Sequence, residues 1–115
     1  MFGNFNELIA GLIVRGIKMI AESTPKALLV AREKIDKIDK DLVEILESRF
    51  QLTHQIGLLK ADQKLAPSDA SRETQKLAKL RLLCEDKSLN PDLVVELFRR
   101  IMEEVVRNHE NLRNQ

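Results

Sequence analysis

PKALLVAREKIDKIDKDLVEILESRFQLTHQIGLLKAD, running from Pro25 to Asp62, is the stretch that decides the fold. Within it Leu28, Ala31, Ile35, Ile38, Leu42, Ile45, Arg49, Leu52, Ile56 and Leu59 follow one another at alternating steps of three and four. That is the spacing of a helix whose apolar seam faces another helix, sustained over more than four heptads. Neither Pro nor Gly occurs between Pro25 and Gly57, so nothing breaks the helix midway. At 1.5 Å per residue it would be roughly 55 Å long. A chain of 115 residues cannot cover a rod of that length, so part of the seam is expected to pack on a second copy.

Arg49 stands in the seam where Leu or Ile belongs, among Ile45, Leu52 and Ile56. A charge there costs several kcal/mol unless it is paired or meets an anionic ligand. The adjoining row, spaced by sevens, is Arg32, Asp39, Leu46, Thr53 and Lys60. Lys60 therefore lies on nearly the same face as Arg49, about three turns further along. Spacing alone leaves two readings: a polar residue that sets register beside a solvated lysine, or two long cations converging on one small anion.

Composition narrows the function classes. The chain is one domain's worth of sequence, with 19 basic and 18 acidic residues and a net charge of +1, so no basic field argues for nucleic acid. The only aromatics are four Phe, which leaves no stacking platform for single strands. A lone cysteine, Cys84, excludes an internal disulfide and a cysteine-based metal cluster, fits a reducing compartment, and reads as packing beside Leu82 and Leu83. His54 and His109 show no metal-ligand spacing, and there is no Gly-rich phosphate loop, no Ser-centred elbow and no repeat.

Residues 1–24 carry an amphipathic helical stripe of Phe5, Leu8, Ile9, Leu12, Ile13, Ile17 and Ile20, weakened by Gly3, Gly11 and Gly16. The uncharged run Leu8 to Val14 is too short to span a bilayer, and Glu7, Arg15 and Lys18 do not suit a secretory signal. Packing on the domain or its partner, a loose extension and a membrane-surface helix all remain open for this segment. Ser23, Thr24 and Pro25 read as a cap with Pro in the first turn. Pro67 and Ser68 lead into a second helix, about Asp69 to Glu85, with Leu77, Leu80, Leu83 and Cys84 as its thin buried stripe. Asn90 and Pro91 open a third, running to about Leu112 with Val94, Leu97, Phe98, Ile101, Val105, His109 and Leu112 inward. No stretch alternates like a strand. The expectation is an all-α fold: a three-helix protomer in residues 25–115 with one very long first helix, intertwined into a helical homodimer, plus an N-terminal extension in residues 1–24. On pattern alone His109 is a structural histidine, and Arg72 and Glu73 are surface charges.

The run Arg32 to Asp39 (REKIDKID), with Asp41-Leu42-Val43, Glu47-Ser48-Arg49 and Ile56-Gly57-Leu58-Leu59-Lys60, resembles the first helix of the all-helical chorismate mutases. The resemblance continues through Asp69, Arg72 and Glu73, then Leu97-Phe98 and Met102-Glu103-Glu104, and covers about residues 27 to 112. It implies a mutase of the shikimate pathway, in aromatic amino acid biosynthesis, that converts chorismate to prephenate as an intertwined, cytoplasmic homodimer with shared active sites. Such a one-substrate pericyclic rearrangement needs no nucleophile, metal or cofactor. It proceeds by holding a flexible dicarboxylate folded and by stabilising charge on the breaking ether oxygen.

Carried over position by position, the resemblance has Arg49 and Arg32 gripping the two carboxylates, which suits guanidinium forks. Lys60 donates to the ether oxygen, Glu73 accepts from the ring hydroxyl with help from backbone near Asp69, and Arg72 adds a cation at the pocket edge. Arg32 and Arg49 are seventeen residues apart, roughly 25 Å along one helix; if both bind one ligand, Arg32 comes from the partner subunit. Two positions depart from the family pattern. Val105 replaces a small hydroxyl residue, removing one carboxylate contact. His109 stands where Gln or Glu is usual, placed to donate to the ether oxygen, which would make activity depend on pH near neutrality. Three functions stand: chorismate mutase; an isochorismate-pyruvate lyase or amino-chorismate mutase on the same scaffold; and a non-catalytic helical dimer serving as a regulatory module. Association with another shikimate-pathway enzyme is a further partner the sequence leaves open.

Overall fold

The computed structural model describes residues 24–115, and the expectation for the N-terminal stripe lies outside them. Among the described residues there are three helices and no strand: α1 (Lys26–Asp62), α2 (Ala70–Cys84) and α3 (Pro91–Arg113). The chain divides into two compact units between Glu44 and Ile45, with α1 continuous through the division.

Each helix starts where local chemistry starts it. The Pro25 carbonyl accepts from the N–H groups of Leu28 and Leu29 at 3.0 and 3.2 Å, so Pro25 caps α1 rather than forming its first turn. Asp69 caps α2 through its Oδ1, which accepts from the Arg72 N–H at 3.0 Å. Asn90 does the same for α3 toward Asp92, with Pro91 following as the first helical residue. At the end of α1 the Leu65 N–H reaches the Lys60 carbonyl at 2.7 Å and the Lys64 N–H reaches that of Ala61 at 3.3 Å. This is a Schellman closure, and it puts Lys64 at φ 58, a left-handed position more commonly given to Gly.

In the unit ending at Glu44, the apolar seam of α1 is open to solvent: Leu28, Ile35, Ile38 and Leu42 are all exposed. In the unit Ile45–Gln115 the buried apolar side chains are Leu80, Cys84 and Val95. The inward stripes differ from expectation at two leucines. Leu83 is 61% exposed because the face of α2 that turns inward follows Leu77, Leu80 and Cys84, leaving Leu83 at its rim. On α3 the stripe follows Val95, Phe98, Met102, Val105 and His109 in steps of three and four. Leu97, about 100° around the helix from Phe98, falls outside it and is 55% exposed.

One close approach marks the contact of α1 with α3. A Cβ on Gly57 would lie 2.5 Å from His109 Cδ2 and 2.9 Å from Leu112 Cδ1, so a side chain there would have to displace the His109 ring and the tip of Leu112.

Candidate functional site

Arg49, Lys60, Asp69, Arg72, Glu73, Val105 and His109 line one pocket of about 370 Å³, wholly within Ile45–Gln115. Arg32, the remaining site residue expected from sequence, is not in its lining. Helix α1 supplies Arg49 and Lys60 from one face, with Thr53 and Ile56 between them. The Schellman closure at the Lys60 carbonyl turns the chain back at that point, and the 63–69 connection brings Pro67 and Asp69 to the rim. The Asp69 carbonyl also accepts from the Glu73 N–H at 3.0 Å, so cap and first turn together set the direction of Arg72 and Glu73. Val105 contributes an aliphatic wall and no donor.

Lys76 also lines the pocket, one turn beyond Arg72. Sequence reasoning missed it, because a lysine on a charged helix face looks solvated; its spacing of four from Arg72 was the available signal. The lining therefore holds Arg49, Lys60, Arg72 and Lys76 against two carboxylates, Asp69 and Glu73. That balance suits an anion.

Arg49 is the unsatisfied member of the set. Its Cζ lies 5.7 Å from the centre of the Phe98 ring, a cation–π distance. Its Nη1 is buried without a hydrogen-bond partner. A desolvated guanidinium N–H left unpaired costs on the order of 1–3 kcal/mol or more, and an anion in the pocket removes that cost.

His109 is 4% exposed, and both ring nitrogens face backbone carbonyls: Nε2 lies 2.8 Å from the Thr53 oxygen and Nδ1 3.3 Å from that of Pro67. A neutral imidazole donates from only one of these nitrogens, and the ring also belongs to the pocket lining, where the resemblance has it donating to a ligand. Beside it, Asn108 Nδ2 lies 3.2 Å from His54 Nδ1, a second link between α3 and α1. Among the described residues, no group of three or more His, Cys, Asp or Glu is placed to hold a metal ion. Nor is any helix there long and apolar enough to cross a membrane.

Comparison with known proteins adds the following. Residues 31–110 match the family model for chorismate mutase type II. The chain is 34% identical over 86 residues to the bifunctional chorismate mutase/prephenate dehydratase of Buchnera aphidicola subsp. Acyrthosiphon pisum, a match covering 75% of this chain and 22% of that protein. The T-protein of Enterobacter agglomerans matches at the same identity and coverage. The T-protein of Haemophilus influenzae is 31% identical over 83 residues, 72% of this chain and 22% of its own length. The chain thus spans about a fifth of the length of the curated relatives it matches.

Proposed function

The chain belongs to the chorismate mutase type II family, and from that membership we propose that it rearranges chorismate to prephenate. The observation that carries this reading is the buried, partnerless Nη1 of Arg49 in a pocket where cations outnumber carboxylates. The substrate is a dicarboxylate with a ring hydroxyl and an enolpyruvyl ether. Arg49 binds one carboxylate, satisfying the orphaned N–H, and Arg32 of a partner subunit binds the other. Lys60 donates to the ether oxygen as its bond to the ring breaks and the new carbon–carbon bond forms within the same molecule. Glu73 accepts from the ring hydroxyl, Asp69 holds the backbone that faces it, and Arg72 adds positive potential at the rim. No atom enters or leaves, so the residues accelerate the reaction by fixing the folded conformer and by meeting charge that exists only in the transition state.

The homodimer is supported by the solvent-exposed seam of α1. Ile35, Ile38, Leu42, Ile45, Leu52 and Ile56 are each between 48% and 65% exposed in the single chain, more contiguous apolar surface than a soluble monomer ordinarily presents. Because the Buchnera relative joins a mutase to a prephenate dehydratase, a further partner of this chain is an enzyme that consumes prephenate.

The test is direct. Purified protein is mixed with chorismate, loss of the substrate is followed, and the product is identified. Prephenate supports the reading, whereas turnover of isochorismate to pyruvate and salicylate instead assigns the scaffold to a lyase. No turnover by a dimeric, folded protein removes the enzymatic reading. Sedimentation tests the dimer, and a stable monomer overturns the shared site.

A further inference from the structure

His109 is the one buried polar side chain among the described residues, and it lies at the junction of three chain segments. Its ring fills the notch left by the missing side chain of Gly57, whose Cα bears no group to push it away. From there Nε2 reaches the Thr53 carbonyl on α1, one helical turn before Gly57, and Nδ1 faces the Pro67 carbonyl in the 63–69 connection. Thr53 lies between Arg49 and Lys60; Pro67 is two residues before Asp69. The imidazole therefore lies between two segments that both contribute to the pocket lining. An imidazole carrying its proton on Nε2 makes the shorter bond, and an imidazolium makes both.

We infer that His109 is a positioning residue: seated on Gly57 and bonded to the Thr53 carbonyl, it ties α3 to α1 and packs against the Pro67 carbonyl of the 63–69 connection, so that its hydrogen bond goes to the main chain and not to the ligand. This deepens the proposed function, on which it rests for its kinetic arm, and it departs from the expectation of a direct contact to the ether oxygen. The clamp sets the separation between Lys60 and the Asp69–Glu73 turn. A displacement of about 1 Å there is enough to cost on the order of 100-fold in rate.

Two readouts test it on the full chain. In the first, nitrogen NMR of the imidazole is recorded in free protein and in protein saturated with prephenate. The expected result is a slowly exchanging Nε2–H bonded to the Thr53 carbonyl in both states. Loss of that bond on prephenate binding, with a new ring contact to the ligand, overturns the inference. In the second, His109→Leu and Gly57→Ala are compared singly and together, at a temperature where each is folded by circular dichroism. The expected signature is a fall in kcat of about 100-fold in His109→Leu with a small change in KM, and faster amide exchange in residues 63–69. Gly57→Ala, which drives a Cβ against the ring, shows the same pattern, and the double variant is no worse than the poorer single one. Additive effects, or a wild-type rate in folded His109→Leu, overturn it. If the protein neither turns over chorismate nor binds prephenate, the proposed function fails; the free-protein spectrum and the amide exchange then decide the clamp by themselves.

Discussion

On the outer surfaces of α2 and α3, Arg81 meets Asp92 at 2.9 Å and Arg100 meets Glu103 at 3.0 Å. In the pocket wall, Arg49 keeps a buried Nη1 with no partner and rests against Phe98. The same residue type is thus satisfied where it is more than half exposed, and so contributes little, and is left unsatisfied where it is desolvated, and so costs most. The difference teaches where to look for a ligand. A fold that pairs Arg81 and Arg100 with surface carboxylates and buries a partnerless donor of Arg49 in its pocket is the arrangement that the proposed function fills with an external anion.

That contrast is open to attack by substitution. The largest effect is expected for Lys60→Ala, which removes the donor to the ether oxygen: kcat falls by about 100- to 1,000-fold, roughly 3–4 kcal/mol by analogy with an oxyanion donor, while helical content stays unchanged. Steady-state kinetics beside circular dichroism checks it. Arg49→Leu is the sharper instrument because its two readouts diverge. Turnover should fall as steeply as in Lys60→Ala, yet stability in urea should hold or rise by about 1–4 kcal/mol, since an uncompensated cation gives way to an apolar side chain in an apolar seam. A loss of both together would mean that Arg49 is structural.

Phe98→Leu keeps a somewhat smaller apolar side chain beside Arg49 but removes the ring under the guanidinium. A rise in KM of about fivefold is expected, near 1 kcal/mol, with kcat nearly unchanged; an unaltered KM would show that Arg49 needs no support from α3. The smallest effects belong to the outer surface. Arg81→Ala and Arg100→Ala should each change unfolding free energy by no more than about 0.5 kcal/mol and leave kinetics alone. A large effect of either on turnover would erase the contrast between the two regions.

Much of this arrangement was legible before any coordinates. The seam in Pro25–Asp62 foretold a helix that the structure begins at Lys26 and ends at Asp62. Asn90-Pro91 foretold the start of α3. Both signals act within a single turn, so they survive whatever the rest of the chain does. Lys64 gave no comparable signal, since a lysine at positive φ is imposed by the closure around it and not by its own preference. The exchange of Leu97 for Val95 in the buried stripe of α3 has a similar origin: both apolar series are regular, and only docking selects between them. For the site, Arg49 and Lys60 were marked by charge in an apolar seam, whereas Lys76 and Thr53 looked like ordinary helix-face residues until the pocket closed around them.

By itself, then, the sequence determined the helices, the Asn90 cap of α3 and the shared face of Arg49 and Lys60, because hydrogen bonds and side-chain rows in a helix depend on residues three and four apart. Only the tertiary structure decided that Arg49 keeps an orphaned donor and that His109 reaches the carbonyls of Thr53 and Pro67. Those contacts join positions 56 and 42 residues apart, and no local preference encodes the distance between them.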